Sequence, residues 1–287
     1  MLGNYVIGLR EGLEAALVVS ILLVYLTRTD RAQMRRWVFF GVGAAIVASI
    51  LVALILETIS KELSATAEPA FSGIVSFAAV AFVTWMIFWM RRSARTISTD
   101  LRSQLDDAAL SGGHIAVAAM AFVAVIREGA ETAVFFWAAS QATGNTVVSI
   151  LGLVLGLATA VALGWAIYRS SASINLPKFF RITGILLVFV AAGVLSYGIG
   201  EFQEIGWLPG QKDVVLNLSG VMTEGSFIQT LLGGLFNIKA TTSVLQALAW
   251  LTYSIVVLFL FLRPVTATPL SRTKNAVANT ESQISQH

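Results

Sequence analysis

The chain has 287 residues, 56% of them hydrophobic and only 12% charged, about half the charged share of a soluble domain. Its mean hydropathy of +0.79 means more apolar surface than a soluble globule of this length can hide. These values exclude a soluble enzyme, a disordered chain and a secreted disulfide scaffold. The absence of Cys removes disulfides, iron–sulfur clusters and thiolate metal sites. The net charge of +3 and pI near 9.4 raise nucleic acid as a partner, a question that the placement of the charges answers.

Seven apolar runs of roughly 20 residues are long enough to cross a bilayer as helices: Asn4–Leu26, Trp37–Leu56, Pro69–Met90, His114–Ser140, Thr146–Tyr168, Phe179–Gly200 and Val244–Leu262. None alternates with the period of two that a membrane β-barrel strand requires. The first run has no basic stretch before it and no small-residue cleavage site after it, so it reads as a mature helix. The fold class is therefore all-α, a polytopic membrane protein. Residues 91–110 read as an amphipathic helix on the inner leaflet, with Ile97, Leu101 and Leu105 on one face. The outer loop 201–243 contains Ser226–Phe236, too short to span, which reads as a cap or re-entrant segment. The tail 264–287 is polar and reads as disordered. A single transmembrane domain, 1–263, remains.

The basic residues sort by side. Arg28, Arg31, Arg35, Arg36, Arg91, Arg92, Arg95, Arg102, Arg169, Lys178, Arg181, Arg263, Arg272 and Lys274 all fall on one side of the seven runs. Only Lys61, Lys212 and Lys239 fall on the other, and Arg10 and Arg127 lie within runs. The positive-inside rule then puts the N-terminus outside and the C-terminus inside. The basic pI reflects topology and anionic lipid rather than nucleic acid. Glu57, Glu62, Glu68, Glu201, Glu204, Asp213 and Glu224 gather outside, where they attract cations.

Arg10-Glu11-Gly12-Leu13-Glu14 in the first run returns as Arg127-Glu128-Gly129-Ala130-Glu131 in the fourth, 117 residues later. An odd number of crossings separates the two, so the runs 1–3 (about 4–90) and 4–6 (about 114–200) form an inverted-topology repeat of the kind transporters use. The seventh is the unpaired extra. At 100° per residue Glu11 and Glu14 lie 60° apart and Arg10 lies 40° beyond Glu14, so each motif projects from one helix face. Both motifs lie about 10–18 Å below the outer ends of their helices. Four carboxylates can thus meet near mid-membrane, with Gly12 and Gly129 letting the backbones approach. An ionised group at that depth costs about 2.5–3.5 kcal/mol, so six cost roughly 15–20 kcal/mol before pairing. Arg10 with Glu14 and Arg127 with Glu131 offset part of this. The formal charge left is −2, which a cation or two protons would cancel. The bland alternative is an ion-pair network that only holds helices in register.

All these ligands are carboxylate oxygens, which suit hard ions such as Mg, Ca, Mn and ferric iron. The only histidines are His114 and His287. His114 reads as an interfacial residue at the inner end of its span, so haem and zinc sites find no ligands. Glu201-x-x-Glu204 puts two carboxylates at the outer end of the sixth span, as an outer metal-collecting pair or simply a wet helix end. Trp85, Met86, Trp89 and Met90 read as an aromatic belt at the inner interface with an Arg91-Arg92 anchor. On the inner side of the second motif, Ala121 and Ala124 leave room for an exit route or for close packing.

The duplicated R-E-G-x-E motif, the run Thr84-Trp85-Met86-Ile87-Phe88-Trp89-Met90-Arg91 and the seven spans resemble the oxidase-dependent iron permease family, its compact bacterial EfeU-type branch in particular. The resemblance covers Asn4 to about Arg263. It implies iron import across the bacterial cytoplasmic membrane, with Glu11, Glu14, Glu128 and Glu131 as ligands for ferric iron and Arg10 and Arg127 as their companions. It also implies extracytoplasmic partners: a cupredoxin-like iron-binding protein and a haem peroxidase, or in fungi a multicopper oxidase. Two departures are Ala130 and Thr132, where relatives commonly have Leu and Ser, and Ser72, which stands where Glu is expected. No nucleophile–base constellation or cofactor motif suggests an enzyme. The expectation is an iron permease with iron as substrate. The alternatives are a transporter of another divalent cation, such as lead or manganese, or a non-transporting assembly subunit.

Overall fold

The computed structural model describes residues 1–64, 67–93, 103–105, 113–170, 176–211, 214–217 and 241–263. Among the described residues there are seven long helices: α1 (Leu2–Arg28), α2 (Arg35–Glu62), α3 (Ala67–Ser93), α4 (Gly113–Thr143), α5 (Thr146–Ser170), α6 (Leu176–Glu204) and α7 (Val244–Leu262). Each contains one of the seven expected runs. A 3₁₀ turn, Ala32–Met34, leads into α2. Six of the helices, α2 to α7, are long and apolar enough to cross a membrane. The 27-residue α1 is equally long but carries Arg10, Glu11 and Glu14 within one stretch. The chain is a polytopic helical membrane protein.

The outward faces make the same point. On α2, Phe39, Phe40, Ile46, Val47, Ile50, Leu51, Leu54 and Ile55 are all exposed. Their spacing is that of one helix face, apolar where a soluble helix is polar. On α5, Val147, Leu151, Val154, Val161 and Trp165 do the same, and on α7 Leu251, Ile255 and Phe259. A patch of this size is lipid-facing surface.

Packing follows an exchange rule. The principal partners are α1 with α5, α2 with α4, and α3 with α6, while α1 also meets α4 and α7 lies on α6. Exchanging α1 with α4, α2 with α5 and α3 with α6 turns the pairs among these six helices into themselves, and the seat of α7 on α6 breaks the symmetry. The correspondence extends to single atoms. A Cβ at Gly41 would strike the Ala118 carbonyl oxygen and approach the Phe122 nitrogen; one at Gly152 would strike the Met1 carbonyl oxygen and approach the Tyr5 nitrogen. Ala118 and Met1, and Phe122 and Tyr5, stand 117 residues apart, as the two motifs do. Glycine lets each backbone pair close to contact.

The main core lies among α1, α3, α4 and α6, where Ile7, Val80, Val83, Met86, Phe135, Ala138, Leu187 and Val194 pack together. A second cluster joins Leu22, Leu26, Val38, Val117 and Ala121 with Leu105. Leu105 is thus tucked against the ends of α1, α2 and α4 rather than lying on a leaflet, because a packed site buries it more fully. Ile97 and Leu101 lie outside the described residues, as do Ser226–Phe236 and the tail 264–287. Among the described residues after α6, Val214–Asn217 pairs antiparallel with Thr241–Ser243, a short addition to an all-helical fold. Helix α6 ends in a Schellman turn, with the Trp207 N–H donating to the Phe202 carbonyl at 2.9 Å and the Gly206 N–H to the Gln203 carbonyl at 3.1 Å. Gly206 takes φ 76° there, which glycine tolerates. Ser243 and Gln246 form a capping box that starts α7. The Ser243 hydroxyl donates to Gln203 Oε1 at 2.9 Å, and Gln246 Nε2 donates to the Ser196 carbonyl at 3.1 Å, so the N-terminal end of α7 is fastened to α6.

Candidate metal centre

Both motifs sit inside unbroken helices. Arg, Glu, Leu and Ala are good helix formers, and the single Gly in each costs about 1 kcal/mol. The reason Gly is used lies off the carboxylate face. Gly12 abuts Leu157 and Ala160 of α5, and Gly129 abuts Ser49 of α2. The expectation that these glycines bring α1 and α4 together is therefore corrected. Each points about 100° away from its neighbouring Glu, so it serves the lateral helix instead.

The charged groups pair within their own motifs. Arg10 Nη1 lies 3.3 Å from Glu11 Oε1, and Arg10 Nη2 lies 3.2 Å from Glu14 Oε1. Arg127 Nε lies 3.2 Å from Glu128 Oε1 and 3.3 Å from Glu131 Oε1. Across the α1–α4 contact, carboxylate oxygens of Glu11, Glu128 and Glu131 come within 4.8 Å of one another, all three residues buried. Glu14 is not in that close trio but is within hydrogen-bonding reach of Glu128. Glu11 Oε2, Glu128 Oε2 and Glu131 Oε2 have no hydrogen-bond partner among the described residues. Buried carboxylate oxygens without donors are strongly unfavourable unless a cation or proton meets them. The geometry is that of a small, all-oxygen cage with a formal charge of −2 when ionised, suited to a hard cation.

The two motifs are not equivalent. The Arg10 side chain is 2% exposed and the Arg127 side chain 42%. Arg10 Nη1 donates to Met86 Sδ at 3.3 Å, and the Arg127 guanidinium lies over the Trp89 ring at 4.4 Å. Met86 and Met90 are buried, so the reading of Trp85, Met86, Trp89 and Met90 as an interfacial belt holds only for exposed Trp85. Their i, i+3 alternation, which turns Met86 and Trp89 inward and Trp85 outward, was the available signal. Ala121 is fully buried against α2 beside Gly41, which makes it a packing residue and not an exit route. His114 is exposed with its ring 5.7 Å from that of Trp37, in keeping with an interfacial role.

The acids expected on the outer side divide. Glu201 is half-buried and hydrogen-bonded to Tyr197, whereas Glu204 is exposed. Ser72, fully buried, donates to Glu68 Oε1 at 3.3 Å and also bonds Tyr197. Glu201 thus joins Glu68, Ser72 and Tyr197.

A family model described as the iron permease FTR1 family matches residues 1–274. The chain belongs to this iron permease family. Among its relatives, the ferrous iron permease EfeU of Escherichia coli O6:H1 is 36% identical over 262 residues, covering 91% of this chain and 95% of the relative. That of Yersinia pestis is 35% identical over 276 residues, 96% of each chain. No solved structure matches. Membership agrees with the resemblance carried by the motifs, and makes the chain a permease-type membrane protein for iron.

Proposed function

We propose that this chain imports iron across a bacterial cytoplasmic membrane through seven spans, with the N-terminus outside, and that Glu11, Glu14, Glu128 and Glu131 hold the ion in transit. The observation that carries this is the convergence of buried, donor-less carboxylate oxygens from two halves of an inverted repeat. Arg10 and Arg127 orient those carboxylates and limit the charge of the empty cage. Rocking of one repeat against the other gives alternating access. Outer partners, a cupredoxin-like protein and a haem peroxidase, would deliver iron to the outer face, where Glu201 sits.

Two oxidation states compete. Hard oxygen ligands favour ferric iron. The formal charge of −2 is balanced by a divalent ion, and the relatives in Escherichia coli and Yersinia pestis are named ferrous iron permeases. We take the ferrous ion as the species held. Uptake of radiolabelled iron into proteoliposomes, under reducing and then oxidising conditions, separates the states. Glu128→Gln should reduce uptake to background while the purified protein keeps its elution profile. Wild-type rates in that variant would overturn the site. Manganese or lead competing as well as iron would favour the broader cation transporter, and loss of folding in Glu128→Gln would favour the assembly subunit.

A further inference from the structure

Outward of the cage the four central helices close on apolar side chains. Ile7, Val80, Val83, Phe135, Ala138 and Val194 are among the residues lining a cavity of about 20 Å³. Ile7 stands one turn before Glu11, and Phe135 one turn after Glu131, so this collar lies directly on the outer side of the carboxylates. The space is enough for one water, yet its wall is wholly apolar and offers nothing to hold one.

One turn further out the same helix faces become polar. Asn4 lies seven residues before Glu11, about 20° from its direction, and three before Ile7. Ser76 lies one turn before Val80, and Tyr197 one turn after Val194. Asn4 is 1% exposed and Ser76 is fully buried. Neither the amide oxygen nor the amide nitrogen of Asn4 has a hydrogen-bond partner among the described residues, and neither has Ser76 Oγ. A buried primary amide unpaired at both ends is costly. Tyr197 then links through Ser72 to Glu68 and directly to Glu201. Two carboxylates are thus joined through hydroxyls on α3 and α6, and one turn outward of the collar, by helix position, stand the unpartnered Asn4 amide and Ser76 hydroxyl.

We propose that Asn4, Ser76 and Tyr197, with Glu68 and Glu201, form a second cation site in series with the first, an antechamber for a hydrated divalent ion. Neutral amides and hydroxyls accept from and donate to the ion's water shell, and the two carboxylates supply the charge. The ion keeps its water here and exchanges it for carboxylates only after the collar opens. The inference rests on the cage being the transport site.

The test is equilibrium binding of ferrous iron to the purified full chain under anaerobic conditions. Wild type should bind two equivalents. Glu11→Gln with Glu128→Gln should leave one weaker equivalent. On that background Asn4→Leu should weaken the remaining equivalent at least tenfold, and Asn4→Asp should tighten it by a similar factor. The second variant keeps the test sharp if the first misfolds. A single wild-type equivalent lost with the two glutamates would remove the antechamber and keep the cage. Residual binding indifferent to both Asn4 variants would also remove the antechamber. Two equivalents that survive the glutamate changes, or no wild-type binding at all, would remove the cage and with it the antechamber.

Discussion

Replacing Arg10 by Gln should be far more damaging than the same change at Arg127, although the motifs read alike. Arg10 is enclosed, and its loss leaves Glu11 and Glu14 without their cation. Removing one partner of a buried pair costs about 3–5 kcal/mol. Arg127 makes the corresponding two contacts, but its side chain is 42% exposed. A pair so screened contributes about 0–1 kcal/mol. The Trp89 face adds about 0.5–1 kcal/mol. The gap is thus about 2–3 kcal/mol, a shift of roughly 5–10 °C between the two melting temperatures for a chain of this size. Thermal unfolding of both purified variants in one detergent measures it. Equal melting temperatures, or a less stable Arg127→Gln, would show that burial does not set the difference and would refute the reasoning.

The exchange rule predicts that Gly41→Val and Gly152→Val are both strongly destabilising, by similar amounts, because each side chain would strike a carbonyl of the facing helix; paired melting curves check this. Trp89→Leu should leave folding intact within about 1 kcal/mol yet alter iron uptake by freeing Arg127, as a proteoliposome assay with a stability control would show. Thr84→Val breaks the 2.7 Å contact with Tyr253 and should cost about 0.6–2 kcal/mol, read from unfolding. Because the chain lacks Cys, Ser64→Cys and Gln33→Cys give clean single-thiol reporters. An impermeant maleimide on intact cells should label the first and not the second, and the reverse pattern would invert the orientation.

The helices were legible because a bilayer demands long apolar runs, and all seven expected runs lie within observed helices. The motif faces were legible for a related reason: a charge in such a run is so unfavourable that two matched triplets stand out. What sequence could not give depends on which helix sits beside which. Gly12 belongs to the contact with α5 and Gly129 to that with α2, facts fixed by neighbours more than 30 residues away. The inward turn of Met86, the joining of Glu201 to Tyr197 and Ser72, and the burial of Leu105 are non-local in the same way. The Val214–Asn217 pairing with Thr241–Ser243 escaped notice because a four-residue strand carries almost no periodicity.

The 117-residue correspondence also says what seals the other side of the cage. Phe135 maps onto Val18 and Ile7 onto Ala124. At these two mapped positions the side chains are smaller, a valine and an alanine in place of a phenylalanine and an isoleucine. Each removed methylene forfeits about 0.8 kcal/mol of apolar contact. Under the proposed orientation and mechanism, two halves of one architecture would make a lopsided valve, closed by bulkier side chains on the outer side of the cage than on the inner. In such a device asymmetry would lie in side-chain volume rather than in the backbone.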